Sequence, residues 1–407
     1  MPDLLCNILQ KVLKHFRSRR WAVPNETRAQ PESSTRVVRT CLGDVAADTL
    51  GHVQPHEHLL SDFTAILARL GTAESSTASS VGGPDRWASV GGPEIPASVR
   101  RKIEEPLTLA NYDWVRRAYY NRDNLELTDV AVAITEVELF RDLGGGTIVD
   151  LTTIGIGRDA RGLARISRAT GVHVVVGAGY YAHGFAPRGA EQLSRDQIRD
   201  EIVRDIVEGI GETDIRAGII GEIGLSWPIH PFEERVLRAA CEAQQLTGAS
   251  IQVHPGRHPD SLDAVIEILT DAGADLGRTA ISHIDRTVSS AERIIELAEC
   301  GVYVELDLFG QESSYYIHDP SAVRPNDGTR IEWLMELIAA GHGDQLLISQ
   351  DICQKVYLST YGGPGYGHIL ESAIPLMRSR GMSAEDVDRI TRANPARLLA
   401  LEPGAPG

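Results

Sequence analysis

Lysine is scarce in this chain of 407 residues. Only four of the 40 basic residues are lysines (Lys11, Lys14, Lys102 and Lys355), which leaves 36 arginines, and 56 acidic residues bring the formal net charge to −16. This acidity argues against nucleic acid as a partner, because binding a phosphate backbone requires a basic surface. We therefore expect a small-molecule substrate and no nucleic-acid partner.

The chain also lacks a cysteine framework and any long apolar run. Its five cysteines are scattered, odd in number and without a C-x-x-C pair, which is typical of a reducing compartment and predicts a cytoplasmic location. No segment has the roughly 20 consecutive apolar residues that a transmembrane helix needs. We expect no integral membrane segment.

Residues 1–35 are predicted to form an N-terminal extension. Apolar residues recur at helical spacing from Leu5 to Phe16 among lysines and arginines, which predicts a short basic amphipathic helix. A polar linker with Pro24 and Pro31 follows. This helix could dock on a membrane surface or a partner. The favoured interpretation is a tail, or a helix packed on the rest of the protein or on a second subunit.

Residues 36–402 show alternating strands and helices. Strand-length apolar segments lie at 147–151, 172–177, 217–223, 250–254, 279–283, 302–307 and 346–351, and the segment that carries His56 and His58 makes eight. Amphipathic stretches at 191–209, 231–247, 259–272, 288–299 and 329–340 separate several of them. Strands that are apolar on both faces and separated by helices predict a parallel sheet, and eight such units predict an α/β protein with a (β/α)8 TIM barrel. A doubly wound open sheet is the alternative.

A long loop is predicted after the first strand. Residues 70–100 are rich in Ser, Gly, Ala and Pro, with Gly82-Gly83-Pro84 and Gly91-Gly92-Pro93 as examples. In a barrel this loop would lie at the C-terminal rim, either as a lid over the site or as a disordered excursion.

Metal-binding residue types collect at the ends of five of the predicted strands. They are His56, His58, Glu222, His254, His283 and Asp351. The carboxyl ends of barrel strands meet at one mouth, and four imidazoles with two carboxylates suit a pair of divalent transition metals, zinc foremost, with Mn, Co or Fe as alternatives. Glu222 is the natural bridge between two metals, and Asp351 can bind one metal and accept a proton from the attacking water. Each of these residues, taken alone, is explained at least as well by a structural role in the core or at the rim of the barrel. Separate structural roles do not explain why all six occur together at the ends of five strands.

One motif favours a different cofactor. The segment from Gly155 to Ala160 matches the dinucleotide pattern G-x-G-x-x-A after a strand. The next strand ends Val176-Gly177-Ala178-Gly179, without the acidic residue that would hold a ribose. We interpret the glycines as turn residues and expect no NAD.

The chain resembles the phosphotriesterase family of the amidohydrolase superfamily over residues 36–402. The motifs that carry the resemblance are Pro55-His56-Glu57-His58-Leu59, Thr147-Ile148-Val149-Asp150, Gly155-Ile156-Gly157-Arg158-Asp159, Gly218-Ile219-Ile220-Gly221-Glu222-Ile223-Gly224, Ser349-Gln350-Asp351 and Asn394-Pro395-Ala396-Arg397-Leu398-Leu399. Within the family it is most similar to the phosphotriesterase-related proteins, through Gly224-Leu225-Ser226-Trp227-Pro228, His254-Pro255-Gly256-Arg257, Ser282-His283-Ile284-Asp285-Arg286-Thr287, Leu306-Asp307-Leu308-Phe309-Gly310 and the segment from Tyr361 to His368.

The resemblance implies roles for the strand-end residues. It places His56 and His58 on a more buried metal and His254 and His283 on a more exposed one, with a carboxylate bridge and with Asp351 as ligand and base. It also implies a metal-bridging hydroxide as nucleophile and a homodimer. The phosphotriesterases proper use a carboxylated lysine as the bridge. The fourth strand here has no lysine, so we expect Glu222 to be the bridge and assembly to be independent of CO2.

Arg257 and Arg286 each follow a metal-type histidine by three residues, which predicts guanidinium groups at the mouth and a substrate with an acid group. Arg286 could instead pair with Asp285 or Asp307. Candidate substrate contacts beside the two arginines are Tyr181, Trp227, Asp307 and His368. The phosphotriesterase-related branch includes hydrolases of N-acyl amides such as N-acetyltaurine, so we expect amide hydrolysis of an anionic N-acyl substrate. Lactone or carboxylester hydrolysis comes second and phosphotriester hydrolysis third. A catalytically silent metal- or ligand-binding protein is the alternative from a different class.

Overall fold

A computed structural model describes residues 36–69, 97–312 and 324–401. The predicted N-terminal helix and linker lie outside the described residues, as does most of the predicted loop at 70–100.

Eight parallel strands follow one another around a barrel, in the order in which they occur along the chain. They are β1 (His52–Glu57), β2 (Gly145–Asp150), β3 (His173–Ala178), β4 (Ile219–Gly224), β5 (Ile251–His254), β6 (Thr279–Ile281), β7 (Tyr303–Leu306) and β8 (Leu346–Ile348). Their side chains are almost all buried, because the interior of the barrel packs one face and the surrounding helices pack the other. The predicted (β/α)8 barrel is confirmed.

The first and last strands meet through a buried carboxylate. Glu57 is fully buried, and its side chain accepts hydrogen bonds at 2.8 Å from the hydroxyl of Ser349 and from the backbone N–H groups of Gln350 and Ile352. The backbone N–H of Asp351 donates to the carbonyl of His56 at 3.1 Å. Glu57 therefore ties β1 to the segment after β8 and points away from His56 and His58, as alternation along a strand requires.

Helices cover the outside of the barrel. The structure places α1 (Ala97–Glu104), α2 (Tyr112–Ala118), α3 (Val130–Asp142), α4 (Ala160–Thr170), α5 (Arg195–Val207), α6 (Pro231–Thr247), α7 (Asp260–Asp271), α8 (Ile284–Thr287), α9 (Ala291–Glu299), α10 (Asp327–Ala339), α11 (Ile374–Ser379), α12 (Ala384–Asp388) and α13 (Asn394–Leu399). Several begin at capping residues that the sequence supplies. Ser194 and Gln197 form a capping box at the start of α5, and Gly171, at φ 76°, ends α4 in the left-handed conformation that favours glycine.

Short elements complete the described chain. Val37–Thr40 pairs antiparallel with Gly43–Ala46, and Ser61–Asp62 pairs antiparallel with Glu126–Leu127. The glycines of the G-x-G-x-x-A segment adopt positive φ, 110° at Gly155 and 88° at Gly157, where a Cβ would meet the carbonyl of Phe185 and the backbone of Asp62. They serve a tight turn. Within the described ranges, no helix is both long and apolar enough to cross a bilayer.

Candidate metal centre

Six metal-type side chains converge at the carboxyl end of the barrel. His56 lies in β1 and His58 directly after it, Glu222 lies in β4, His254 ends β5, His283 follows β6 and Asp351 follows β8. The side chains of the four histidines and Glu222 are at most 7 % exposed, and that of Asp351 is 16 % exposed. The sequence predicted this set, and the structure brings all six together.

Glu222 lies at the middle of the group. One of its oxygens, Oε2, is 2.8 Å from Nδ1 of His254 and 3.4 Å from Nε2 of both His56 and His283. The other, Oε1, is 3.3 Å from Nε2 of His58. A carboxylate whose two oxygens face different histidines has the geometry of a bridge between two ions.

The side chains form two neighbouring clusters that could each hold an ion. His56, His58 and Asp351 form one, and Glu222, His254 and His283 form the other, each with its ligand atoms within 4.8 Å of one another. Nε2 of His56 is buried and makes no hydrogen bond. Such a buried nitrogen is costly unless it has a partner, and a divalent cation fits a site of imidazoles and carboxylates. The residues present therefore fit a pair of divalent metals.

A further carboxylate lies behind the histidines. Asp307 is fully buried, with one oxygen 3.0 Å from Nδ1 of His56 and the other 2.9 Å from Nδ1 of His283. On His58, Nδ1 lies 2.9 Å from the hydroxyl of Thr152. These contacts occupy Nδ1 and direct Nε2 towards the centre. Asp307 is not among the described residues that line the pocket, and its predicted contact with the substrate stays a prediction.

Backbone geometry places three of the ligand-type side chains. His283 (φ 55°) and Asp351 (φ 48°) have left-handed backbones, which cost non-glycine residues of the order of 1–3 kcal/mol. The backbone N–H of His283 compensates by donating to both oxygens of Asp307, at 3.1 and 3.0 Å. In β4 the register against β5 shifts between Ile220 and Ile223, a local irregularity of the kind that redirects side chains at active sites, and Glu222 lies within it.

The electrostatics of the centre favour an ionised bridge. Burial alone would raise the pKa of Glu222, but the neighbouring His254 and His56 outweigh it and hold the pKa well below its usual range. Burial, with the adjacent His283, lowers the pKa of His254 well below 6.5. At His56, His58 and His283 the neighbouring carboxylates outweigh burial and raise the pKa of each imidazole. Since a metal binds neutral imidazoles and ionised carboxylates, an ion at this centre would have to displace protons from these histidines.

A pocket of about 760 Å³, including its open mouth, lies above the centre. The residues that line it include the aromatic side chains of Phe63, Tyr119, Tyr181 and Tyr357 and the guanidinium groups of Arg116, Arg117, Arg257, Arg286 and Arg324. The rings of Phe63 and Tyr181 meet edge to face, with centroids 5.7 Å apart. Among the described residues that line this pocket, Glu222 and Asp351 supply the carboxylates.

The predicted substrate contacts divide between the pocket and its surroundings. Tyr181, Arg257 and Arg286 line the pocket. Trp227 and His368 are not among its described lining residues, and their role in substrate binding stays a prediction. The ring of Trp227 stacks on His258, with centroids 5.7 Å apart, and Nε2 of His368 lies 2.6 Å from Asp327.

Other lining residues escaped the sequence analysis. Arg116 and Arg117 belong to α2, in the insertion after β1, while Gln311 and Arg324 belong to the long segment after β7. Neither segment has the apolar periodicity by which strand ends were located. Asp285 pairs with Arg330 at 2.6 Å, and Nη2 of Arg286 lies 3.1 Å from Nε2 of His254.

A (β/α)8 barrel with a cluster of metal-binding residue types at its mouth is the architecture of a metal-dependent hydrolase. Comparison with known proteins gives the family of this chain. Residues 36–399 match the model of the phosphotriesterase family. The chain is 38 % identical to an N-acetyltaurine hydrolase of Dictyostelium discoideum over 365 residues, 89 % of this chain and 98 % of that protein. It is 36 % identical to an N-acetyltaurine hydrolase of Xenopus tropicalis over 367 residues, 90 % of this chain and 98 % of that one.

Solved structures agree with this relationship. A resiniferatoxin-binding protein from Rhodobacter sphaeroides superposes with a TM-score of 0.79 at 32 % identity, covering 90 % of this chain and 96 % of that one. The chain belongs to the phosphotriesterase family and is a hydrolase. The family resemblance drawn from the strand-end motifs is confirmed. The family is binuclear and metal-dependent, and the described residues contain candidate sites for such ions.

Proposed function

We propose that this protein hydrolyses the amide bond of N-acyl substrates that carry an acid group, and that N-acetyltaurine is one of them. The observation that carries the proposal is that five arginines line the pocket above the candidate metal centre. Guanidinium groups bind carboxylates and sulfonates through paired, charge-assisted hydrogen bonds. The names of the relatives at 38 % and 36 % identity support an N-acyl amide with a sulfonate.

We further propose that two divalent ions occupy the centre, with zinc the best match to its four imidazoles. His56, His58 and Asp351 would hold one ion, His254 and His283 the other, and Glu222 both. When bound, such a pair lowers the pKa of water and polarises a carbonyl group.

Asp351 is the proposed catalytic base. It is the most exposed of the six side chains, and its Oδ1 lies 3.4 Å from Nε2 of His58, at the floor of the pocket. It accepts the proton of the water that adds to the amide carbon. As the C–N bond breaks, the departing amine takes up a proton, and Asp351 can return the one it accepted. The hydrogen bond from its own N–H to the carbonyl of His56 fixes its backbone.

Other chemistries receive less support from the pocket. A neutral lactone, carboxylester or phosphotriester offers the pocket arginines no negative charge with which to form a charge-assisted hydrogen bond, whereas an acid group does. A catalytically silent binding protein would not need Asp351 at an accessible position beside two candidate ion sites. These alternatives remain as outcomes of the assay.

The proposal also covers location and assembly. The scattered cysteines favour a reducing, cytoplasmic environment, and the family resemblance favours a homodimer. Light scattering at several protein concentrations would test the dimer.

A substrate panel with metal analysis tests the function. The purified protein, loaded with zinc or manganese, would be assayed with N-acetyltaurine, N-acetyl amino acids, a γ-lactone, p-nitrophenyl acetate and a phosphotriester. We expect the largest kcat/KM for an anionic N-acyl amide, and loss of that activity in Asp351→Asn. A preference for the lactone or the phosphotriester would overturn the proposal, as would no turnover at two metals per chain.

A further inference from the structure

The pocket presents both aromatic and basic side chains to a ligand. Phe63 and Tyr181 lie beside His58 and His254, with ring centroids 5.6 Å and 5.0 Å from the respective imidazoles. The basic side is made by residues that follow β5, β6 and β7 and by α2. The carbonyl of Glu312, after β7, accepts a hydrogen bond from Arg116 of α2 at 3.3 Å, so these two parts of the basic side are in contact. A substrate with one apolar and one charged end can place the apolar end against Phe63 and Tyr181 and the charged end against Arg116 or Arg324 on this basic side.

One glutamine connects the basic side to the proposed base. The side chain of Gln311 is 7 % exposed, and its Oε1 accepts a hydrogen bond from Nη2 of Arg324 at 2.8 Å. Its Nε2 donates to the carbonyl of Gln350 at 2.7 Å and to the carbonyl of Asp351 at 3.0 Å. A single amide group therefore sets the position of one pocket arginine relative to the backbone of Asp351.

Three of the other pocket arginines are less suited to define this position. Arg286 is buried beside His254, and its Nη2 also donates to the carbonyl of Pro255 at 3.3 Å. Arg116 and Arg117 pair with Asp113 on the same helix, and their side chains are 37 % and 49 % exposed. Arg324 is half-buried, lines the pocket, and is braced by Gln311.

We propose that Arg324 is the specificity-determining residue that receives the acid group of the substrate, and that Gln311 is a positioning residue that sets the distance between this acid group and Asp351. The acyl group then packs against Phe63 and Tyr181. This inference rests on the proposed function for the identity of the substrate, but it predicts anion binding whether or not the amide is cleaved.

The first test measures binding without turnover. Ethanesulfonate, the acid end of an N-acyl taurine without its amide, would be titrated calorimetrically into the metal-loaded protein. Arg324→Ala should weaken its binding about 10- to 100-fold, because a charge-assisted hydrogen-bonded pair is lost. Arg324→Lys keeps the positive charge but lacks the planar guanidinium group. Its affinity for ethanesulfonate should lie between those of the wild type and Arg324→Ala. Arg293→Ala, which removes an arginine paired with Asp263 and Glu296 outside the pocket, should bind like the wild type.

The second test separates KM from kcat on N-acetyltaurine. Arg324→Ala should raise KM at least as strongly as it weakens ethanesulfonate binding, whereas Arg293→Ala, outside the pocket, should leave both KM and kcat like those of the wild type. Gln311→Met, close in size but without the amide, should raise KM and also lower kcat, since the carbonyl of Asp351 loses its donor. Metal content and melting temperature of each variant would show that the protein is folded and loaded.

The outcomes distinguish the inference from the proposed function. Equal ethanesulfonate affinity in wild type and Arg324→Ala, with folded and metal-loaded proteins, overturns the inference even if N-acetyltaurine is hydrolysed. Arg324-dependent binding of ethanesulfonate by a protein that cleaves no N-acyl amide supports the inference and overturns the proposed function. A kcat in Gln311→Met equal to that of the wild type overturns the positioning role.

Discussion

The carboxylate of Asp307 lies 2.9 Å from Nδ1 of His283, in a part of the barrel that solvent does not reach. Burial alone would raise the pKa of Asp307, but the charge of His283 and hydrogen bonds with His283 and His56 outweigh it and lower the pKa. An ionised carboxylate can only accept hydrogen bonds, so Nδ1 of each imidazole carries a proton and Nε2 is the nitrogen available to a metal ion, which would have to displace any proton there. One buried side chain thus prepares a histidine of each proposed metal cluster.

Replacing Asp307 by Asn should weaken metal binding. The amide cannot accept from both imidazoles, so one of them loses its fixed tautomer and orientation. Changes in such supporting groups typically cost about 10- to 100-fold in metal affinity. Competition with a chromophoric chelator would measure this. Asp344→Asn, at a carboxylate that is 74 % exposed, provides the control. Affinity unchanged in Asp307→Asn would contradict the role assigned to this residue.

Glu222→Gln should lose bound metal and activity together. Its two oxygens lie within 3.4 Å of all four histidines, and an amide supplies neither the charge nor the second acceptor that a bridge needs. Metal analysis and the N-acyl amide assay would be run on the same preparation, with Glu191→Gln at an exposed position as the control. Because the bridge is a glutamate, bicarbonate in the loading buffer should change neither metal content nor rate. Two metals and full activity in Glu222→Gln would refute the bridge.

Glu57→Gln should destabilise the seam of the barrel. Glu57 accepts three hydrogen bonds from Ser349, Gln350 and Ile352. Burial raises the pKa of Glu57 to about 8, so the comparison is made at pH 9, where the carboxylate is ionised and only accepts. The amide NH2 of a glutamine would then turn a donor towards one of these donors, at a cost of about 1–3 kcal/mol in the free energy of unfolding. Asp351 lies between Gln350 and Ile352, so kcat should fall as well. Urea unfolding would measure the stability, and Glu104→Gln, at an exposed residue, should leave it unchanged.

The barrel and the six converging side chains were predictable because both follow from local patterns. The parallel strands of a barrel end at one mouth. His254 at the end of one strand and Glu222 within another could therefore be placed near each other before any contact was known. The predicted segments at 172–177 and 346–351 agree with β3 and β8 to within three residues at each end. Periodicity identifies where a strand ends, and in this fold the strand end is where the chemistry lies.

The surroundings of the other side chains could not be predicted, because no local pattern records them. A carboxylate just beyond a strand looks the same in sequence whether it faces the pocket, as Asp351 does, or lies beneath the histidines, as Asp307 does. Arg324 and Gln311 lie in a segment without periodicity, and their position depends on contacts across the barrel that no local pattern records. Trp227 and His368 were assigned by residue type alone, and their side chains pack against neighbours outside the pocket.

Protonation of His52 should destabilise the protein below neutral pH. Its side chain is buried at the start of β1 against Phe140, and burial, helped by the charge of Arg392, lowers its pKa from 6.5 to about 4. Between these values the unfolded chain binds the proton and the folded chain does not, so stability is present above pH 6.5 and is lost as the pH falls towards 4. A shift of this size corresponds to roughly 3 kcal/mol.

Urea unfolding of the metal-free protein at pH 7.5 and pH 4.5 would measure the effect, since metal release then plays no part. In His52→Gln, which cannot titrate, the difference in unfolding free energy between the two pH values should be smaller than in the wild type by about 2 kcal/mol or more. The packing lost in the variant is common to both pH values and cancels. His258→Gln, at a side chain that is 52 % exposed, should keep the wild-type difference. If His52→Gln also kept it, His52 would not be the group whose protonation weakens the fold.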